Sequence, residues 1–244
     1  MITKNYPTNI SKKQIFLLSV PIFFSNLAIP LVGIIDTGLM GNLGQTKFLA
    51  ATSIATSVMT MIIWSFAFFR MGTVGIVAQL YGKSDYREIA KTLLRNFLMA
   101  MVIAIVIILF RPLIIDLTEN FFSTSAETQE LIKTYISVRV FSIPAEFVIY
   151  ILVGFFLGIQ KTNVSSLLII ILSALNIVLS SFFVLSLNLE VFGVVLGTLI
   201  ASYMTAIIFS LFTYNFILRK FQIIPRLILV VLILEPFRIK SRIG

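Results

Sequence analysis

Asp36 stands where an aspartate is costly. It lies in Val32-Gly33-Ile34-Ile35-Asp36-Thr37-Gly38, near the end of an apolar run from Ile15 to Leu39. A carboxylate inside a membrane needs a polar cavity, a partner or a proton, and burial favours the neutral form of such a group. That chemistry suits a side chain that binds and releases protons. The alternative is an interfacial carboxylate wetted by outside water. Arg139 is a candidate counter-charge, since an ion pair lowers the cost of both members. Glu146 sits two turns below Arg139 on the same helix face and follows Pro144, whose missing N–H loosens the helical ladder. It reads as a second proton site, or as a partner for Arg139 or for Arg70, which is likewise deep in its own apolar run.

Other polar residues fall at a similar height. At a rise of about 1.5 Å per residue, Asp36, Tyr135, Arg139, Asn176, Ser180 and Thr198 all come within roughly 5–15 Å of one membrane boundary. Four apolar runs contribute to this layer, as a central polar site between helices requires. Snorkelling at the outer interface gives the same pattern. Without His or Cys, thiol nucleophiles, imidazole bases, disulfides and Cys/His zinc sites are excluded. No catalytic constellation is visible, so an enzyme is the least favoured class, and neither a metal site nor a cofactor is indicated.

The elements that must position these residues are long apolar helices. Six runs are wide enough to cross a bilayer, namely Ile15–Leu39, Phe48–Tyr81, Ala90–Phe110, Leu131–Ile159, Val164–Ser186 and Val191–Leu218. The chain is 59% hydrophobic and only 12% charged, against about a quarter charged in soluble domains. The fold class is therefore all-α, a polytopic membrane helix bundle with six transmembrane helices. Continuous rather than alternating runs argue against a barrel.

A net charge of +9 invites a nucleic-acid reading, but the placement of the charges opposes it. Lys4, Lys12 and Lys13 precede the first run; Lys83, Arg87, Lys91 and Arg95 crowd the second connection; Lys161 is in the fourth, and Arg219, Lys220 and Arg226 follow the sixth. The first, third and fifth connections carry only Lys47, Arg111 and Lys133, against Asp116, Glu119, Glu127, Glu130 and Glu190. This is the positive-inside pattern, with the N-terminus cytoplasmic in a bacterial-type inner membrane. Membrane lipid, not nucleic acid, is the expected surrounding partner.

Short connections imply that sequence neighbours pack antiparallel in one bundle. The long third connection reads as a polar loop or a surface helix. The second run is longer than a span needs, and Gly72 and Gly75 are the expected places for a break. Two G-x-x-x-G pairs, Gly154/Gly158 and Gly193/Gly197, let helices approach closely and read chiefly as packing within the bundle. Pro21 and Pro30 predict bending of the first helix. Residues 1–226 make up the six-helix lobe. Residues 227–244 hold an eight-residue apolar stretch and a basic tail, which read as a truncated seventh span or a cytoplasmic end.

The segment Pro21 … Gly33-Ile34-Ile35-Asp36-Thr37-Gly38-Leu39-Met40-Gly41-Asn42-Leu43-Gly44 resembles the first helix of multidrug and toxic compound extrusion (MATE) transporters. Phe69-Arg70-Met71-Gly72-Thr73-Val74-Gly75 … Ala78-Gln79 … Gly82 resembles the second helix of their DinF branch. Val138-Arg139 … Ser142-Ile143-Pro144-Ala145 with Gly154 … Leu157-Gly158-Ile159-Gln160 is similar to the fourth. Asn176-Ile177-Val178-Leu179 and Gly193 … Gly197-Thr198 … Ala201 are similar to the fifth and sixth. The resemblance runs from Ser11 to about Leu218.

The resemblance implies one six-helix lobe of a twelve-helix secondary antiporter that exchanges protons or sodium for organic cations, drugs or metabolites. It implies a cation site at Asp36, with Asn176, Thr198 and Tyr135 around it. Many members carry a second acid four residues after the asparagine, where this chain has Ser180. A single acid favours protons over sodium as the coupling ion. Alternating access moves one half against another, so a second six-helix lobe or self-association is implied, with a small organic molecule as substrate. A flippase for lipid-linked saccharides and a truncated, non-functional membrane component are the competing readings.

Overall fold

The structure is a computed structural model and describes residues 12–221. Helix α1 spans Lys12–Asn42, α2 Thr46–Ser65, α3 Phe68–Gly82, α4 Tyr86–Leu109, α5 Arg111–Phe121, α6 Ala126–Arg139, α7 Ile143–Gly158, α8 Thr162–Ser181 and α9 Glu190–Phe221. A 3₁₀ turn, Val140–Ser142, joins α6 to α7, and a π turn, Phe182–Ser186, extends α8. Among the described residues, five helical stretches are long and apolar enough to cross a membrane: Thr46–Gly82, Tyr86–Leu109, Ala126–Gly158, Thr162–Ser186 and Glu190–Leu218. With 31 residues and the apolar run Ile15–Leu39 within it, α1 makes the sixth span. The segment 227–244 lies outside the described residues.

Local chemistry starts and stops these helices. Asp85 caps α4 by accepting a hydrogen bond from the Glu88 N–H at 3.1 Å, and Ser125 caps α6 through the Thr128 N–H. Ser84 and Gln160 take positive φ in the turns after α3 and α7. The helix α1 continues through both Pro21 and Pro30. The third connection holds α5, an amphipathic helix at the surface.

The second run does break, but not at its glycines. The interruption is at Phe66-Ala67. Ser65 donates its hydroxyl back to the Met61 carbonyl at 2.8 Å, a local bond that bends helices. From α7, Phe147 packs its ring against Phe66 and Phe69, with centroids 5.1 and 5.4 Å away. A tertiary wedge therefore sets the break. Above it α2 packs on α6; below it α3 packs on α7 and α4. The fourth run breaks in parallel at Val140–Ser142, and Tyr203 of α9 donates to the freed Phe141 carbonyl at 3.0 Å.

Neighbouring helices such as α8 and α9 or α3 and α4 do pack together. Yet α1–α8 and α3–α7, distant in sequence, form equally extensive seams. A glycine pair explains the second of these seams. A Cβ on Gly154 would lie 2.7 Å from the Arg70 carbonyl oxygen and 2.8 Å from Thr73 Cβ, and one on Gly158 would meet Val77 at 2.8 Å. So the first pair seats α3 on α7. Gly193 and Gly197 seat α9 on the end of α8 in the same way. Two buried clusters fill the bundle, one around Met40, Met59, Ile136 and Phe147, the other around Val77, Phe155, Phe156 and Leu168. Large apolar side chains such as Trp64, Leu109 and Val178 point outward, as lipid contact requires and water contact does not.

Candidate polar site

Three of the four helices named by depth deliver their polar residues into two adjoining clusters. The first forms around the α6–α7 break. Arg139 ends α6 and Glu146 lies in the first turn of α7. A cation at a helix C-terminus and an anion at an N-terminus both complement the helix dipoles. The Arg139 guanidinium donates to the Glu146 carboxylate and to Ser142 Oγ. Ser142 is completely buried, and its Oγ lies 2.7 Å from the Arg139 carbonyl oxygen and 3.0 Å from Glu146 Oε1. The two charged side chains are only 12% and 14% exposed. They neutralise each other inside the bundle.

Tyr135, one turn before Arg139, is buried and accepts a hydrogen bond from Thr56 Oγ1 of α2 at 3.0 Å. It lies within electrostatic reach of both Arg139 and Asp36. Asp36, half-buried on α1, feels the positive charge of Arg139. Its Oδ1 is buried with no hydrogen-bond partner. The carboxylate that pairs with Arg139 is thus Glu146, and Asp36 is the acid left over.

The second cluster joins α8 to α9. Asn176 Nδ2 donates to Thr198 Oγ1 at 2.9 Å, and Ser180 Oγ approaches Asn176 Oδ1 at 3.4 Å and the Val194 carbonyl at 3.3 Å. Thr198 in turn donates to the Val194 carbonyl at 3.1 Å. Asn176 and Ser180 are buried. Among the described residues no hydrogen bond links this cluster to Asp36, although its helix α1 packs on α8. Arg70 belongs to neither cluster. It opens α3 and lines a separate cavity. Among the described residues, no group of three or more His, Cys, Asp or Glu comes together in a way that could hold a metal ion.

Thr56 and Ser142 were not among the residues singled out from the sequence. Ser142 had a signal, because it stands three residues after Arg139 and four before Glu146 on one helical face. Thr56 had none, because its partner lies 79 residues away.

A broken-helix bundle with buried acids and a polar layer between its spans defines a class: a polytopic α-helical membrane protein with a polar interior. The sequence profile of the MatE family matches residues 21–182, and the chain belongs to that family. DNA damage-inducible protein F of Escherichia coli is 32% identical over 198 residues, covering 81% of this chain and 43% of that protein. Multidrug export protein MepA of Staphylococcus saprophyticus is 24% identical over 206 residues, covering 84% and 45% respectively. The same fold occurs in a multidrug resistance MATE family transporter of the MOP superfamily, solved in an outward-facing conformation, with a TM-score of 0.74 at 22% identity over 87% of this chain and 48% of that one. It also occurs in a MOP superfamily transporter from Pyrococcus furiosus whose binding pocket is described as having reverse polarity, with a TM-score of 0.75, 21% identity, and coverage of 86% and 48%. The chain spans a little under half the length of each of these proteins.

Proposed function

We propose that this chain is the cation-site lobe of an efflux antiporter that exchanges protons for organic cations, drugs or metabolites. The positive-inside pattern sets its N-terminus in the cytoplasm. In this reading Asp36 takes a proton on one side of the membrane and releases it on the other. The observation that supports it most directly is the leftover carboxylate. Arg139 is already matched by Glu146, and Asp36 Oδ1 is buried without a hydrogen bond. A buried charge with no partner is costly, and a proton removes it. Ser180, in place of a second acid beside Asn176, supports the proton over sodium, because a lone carboxylate reaches neutrality with one proton. Tyr135, Asn176, Ser180 and Thr198 provide the polar wall around it. A second six-helix lobe, or a second copy of this chain, supplies the opposing wall that alternating access needs.

The test uses everted vesicles carrying the chain together with a complementing six-helix half. Export of a fluorescent organic cation is followed as the pH gradient is varied. Asp36→Asn should abolish the dependence on the gradient while the protein stays in the membrane. Unchanged proton-driven export in that variant would end the assignment of Asp36. Export by this chain alone would make self-association the source of the second wall.

A further inference from the structure

The break at Phe66-Ala67 has a second result. Above it, α2 stays packed against α1; below it, α3 leaves α1 for α7 and α4. The divergence leaves a cavity of about 370 Å³ between the α1–α8 and α3–α7 pairs, on the half of the bundle that carries the turns after α3 and α7. Its volume is that of a small-molecule site, about 300–1,000 Å³.

The lining is divided by chemistry. Met71, Val74, Val153, Leu157 and Ile169 form an apolar wall. The polar part consists of Arg70 with the serines Ser25, Ser165 and Ser166. Arg70 forms no ion pair among the described residues, and the nearby buried carboxylate of Glu146 is already taken by Arg139. A guanidinium offers a planar fork of donors that fits carboxylate and phosphate oxygens two at a time. Among the described residues no acidic side chain lines the cavity, so its one formal charge there is the cation of Arg70.

We propose that this cavity binds an amphipathic anion, with a carboxylate or phosphate head at Arg70 and a slender apolar chain along Val74, Val153, Leu157 and Ile169. The site is separate from the Asp36 cluster and does not depend on the transport reading. The head chemistry is common to a water-soluble amphiphile and to an anionic lipid of the surrounding bilayer.

The experiment titrates the purified full chain in detergent with dodecyl phosphate and counts bound molecules by native mass spectrometry. Inorganic phosphate, phosphatidic acid and dodecyltrimethylammonium are run in parallel. Dodecyl phosphate should fill one site, with inorganic phosphate much weaker and the cationic amphiphile unable to compete. Arg70→Gln should weaken binding about 10- to 100-fold, as expected for loss of a charge-assisted hydrogen bond. Leu157→Trp keeps the charge but fills the apolar end of the cavity, and it should also weaken binding, which preserves the test if Arg70→Gln loses its fold. Phosphatidic acid bound with the same Arg70 dependence would assign the site to the bilayer, and dodecyl phosphate alone would assign it to a soluble amphiphile; either result upholds the anion site. Equal affinity in both variants, or equal binding of the cationic amphiphile, would overturn it.

Discussion

The seam between α8 and α9 gives the sharpest structural prediction. Gly197 faces Ser180 so closely that a Cβ would lie 2.5 Å from Ser180 Oγ, 2.6 Å from its backbone N and 2.8 Å from its Cα. Ordinary contact between heavy atoms begins near 3.5 Å. Two of the three obstacles are backbone, so no rotamer change relieves them. In Gly197→Ala the helices must therefore part by roughly 0.7–1 Å. Asn176 Nδ2 and Thr198 Oγ1 are 2.9 Å apart, and the same displacement takes them past hydrogen-bond range. Overpacking costs about 1–3 kcal/mol and the lost hydrogen bond about 1 kcal/mol, while alanine recovers up to about 1 kcal/mol of helix propensity. The net expectation is a loss of about 1–3 kcal/mol. Reversible unfolding in mixed micelles, followed by circular dichroism, measures it. Gly75→Ala is the control, because a Cβ there meets nothing within 4 Å; it should be neutral or stabilising by up to about 1 kcal/mol. A Gly197→Ala protein as stable as the parent would refute the close-packed seam and, with it, the Asn176–Thr198 contact.

Glu146→Gln strands the buried Arg139 and should destabilise the chain by about 3–5 kcal/mol, with much of the loss recovered in the Arg139→Gln, Glu146→Gln double variant, as read by a double-mutant cycle. The same Glu146 variant leaves Asp36 as the remaining carboxylate near Arg139, so gradient-driven export in the vesicle assay should fall even where the protein folds. Thr73→Val removes the oxygen that accepts from Asn96 Nδ2 at 2.8 Å and should cost about 1–3 kcal/mol in the unfolding assay. Gly154→Ala, which would press on the Arg70 carbonyl oxygen at 2.7 Å, should likewise lower stability by about 1–3 kcal/mol through the α3–α7 seam.

By itself the sequence determined the bundle. Apolar runs of spanning length, with most charges in their connections, allow only helices to cross a bilayer, because backbone groups in lipid must bond within their own segment. Asp85 caps α4 and Ser125 caps α6, so these two helices start at Tyr86 and Ala126, ahead of the apolar runs read from Ala90 and Leu131. The motif order from Asp36 to Ala201 carried the family. Which residues meet was a different matter. The break in the second run came at Phe66-Ala67, not at Gly72 or Gly75, because Phe147 wedges in from another helix while those glycines meet nothing within 4 Å. From the sequence, Arg139 had two candidate partners, Asp36 at its own depth and Glu146 two turns below on the same helix face, and nothing in the sequence chose between them. Pairing depends on how each helix is rotated about its axis, which packing between helices distant in sequence decides. Only the tertiary structure could give Arg139 to Glu146, leave Asp36 unmatched, and open beside Arg70 a cavity that no single helix encodes.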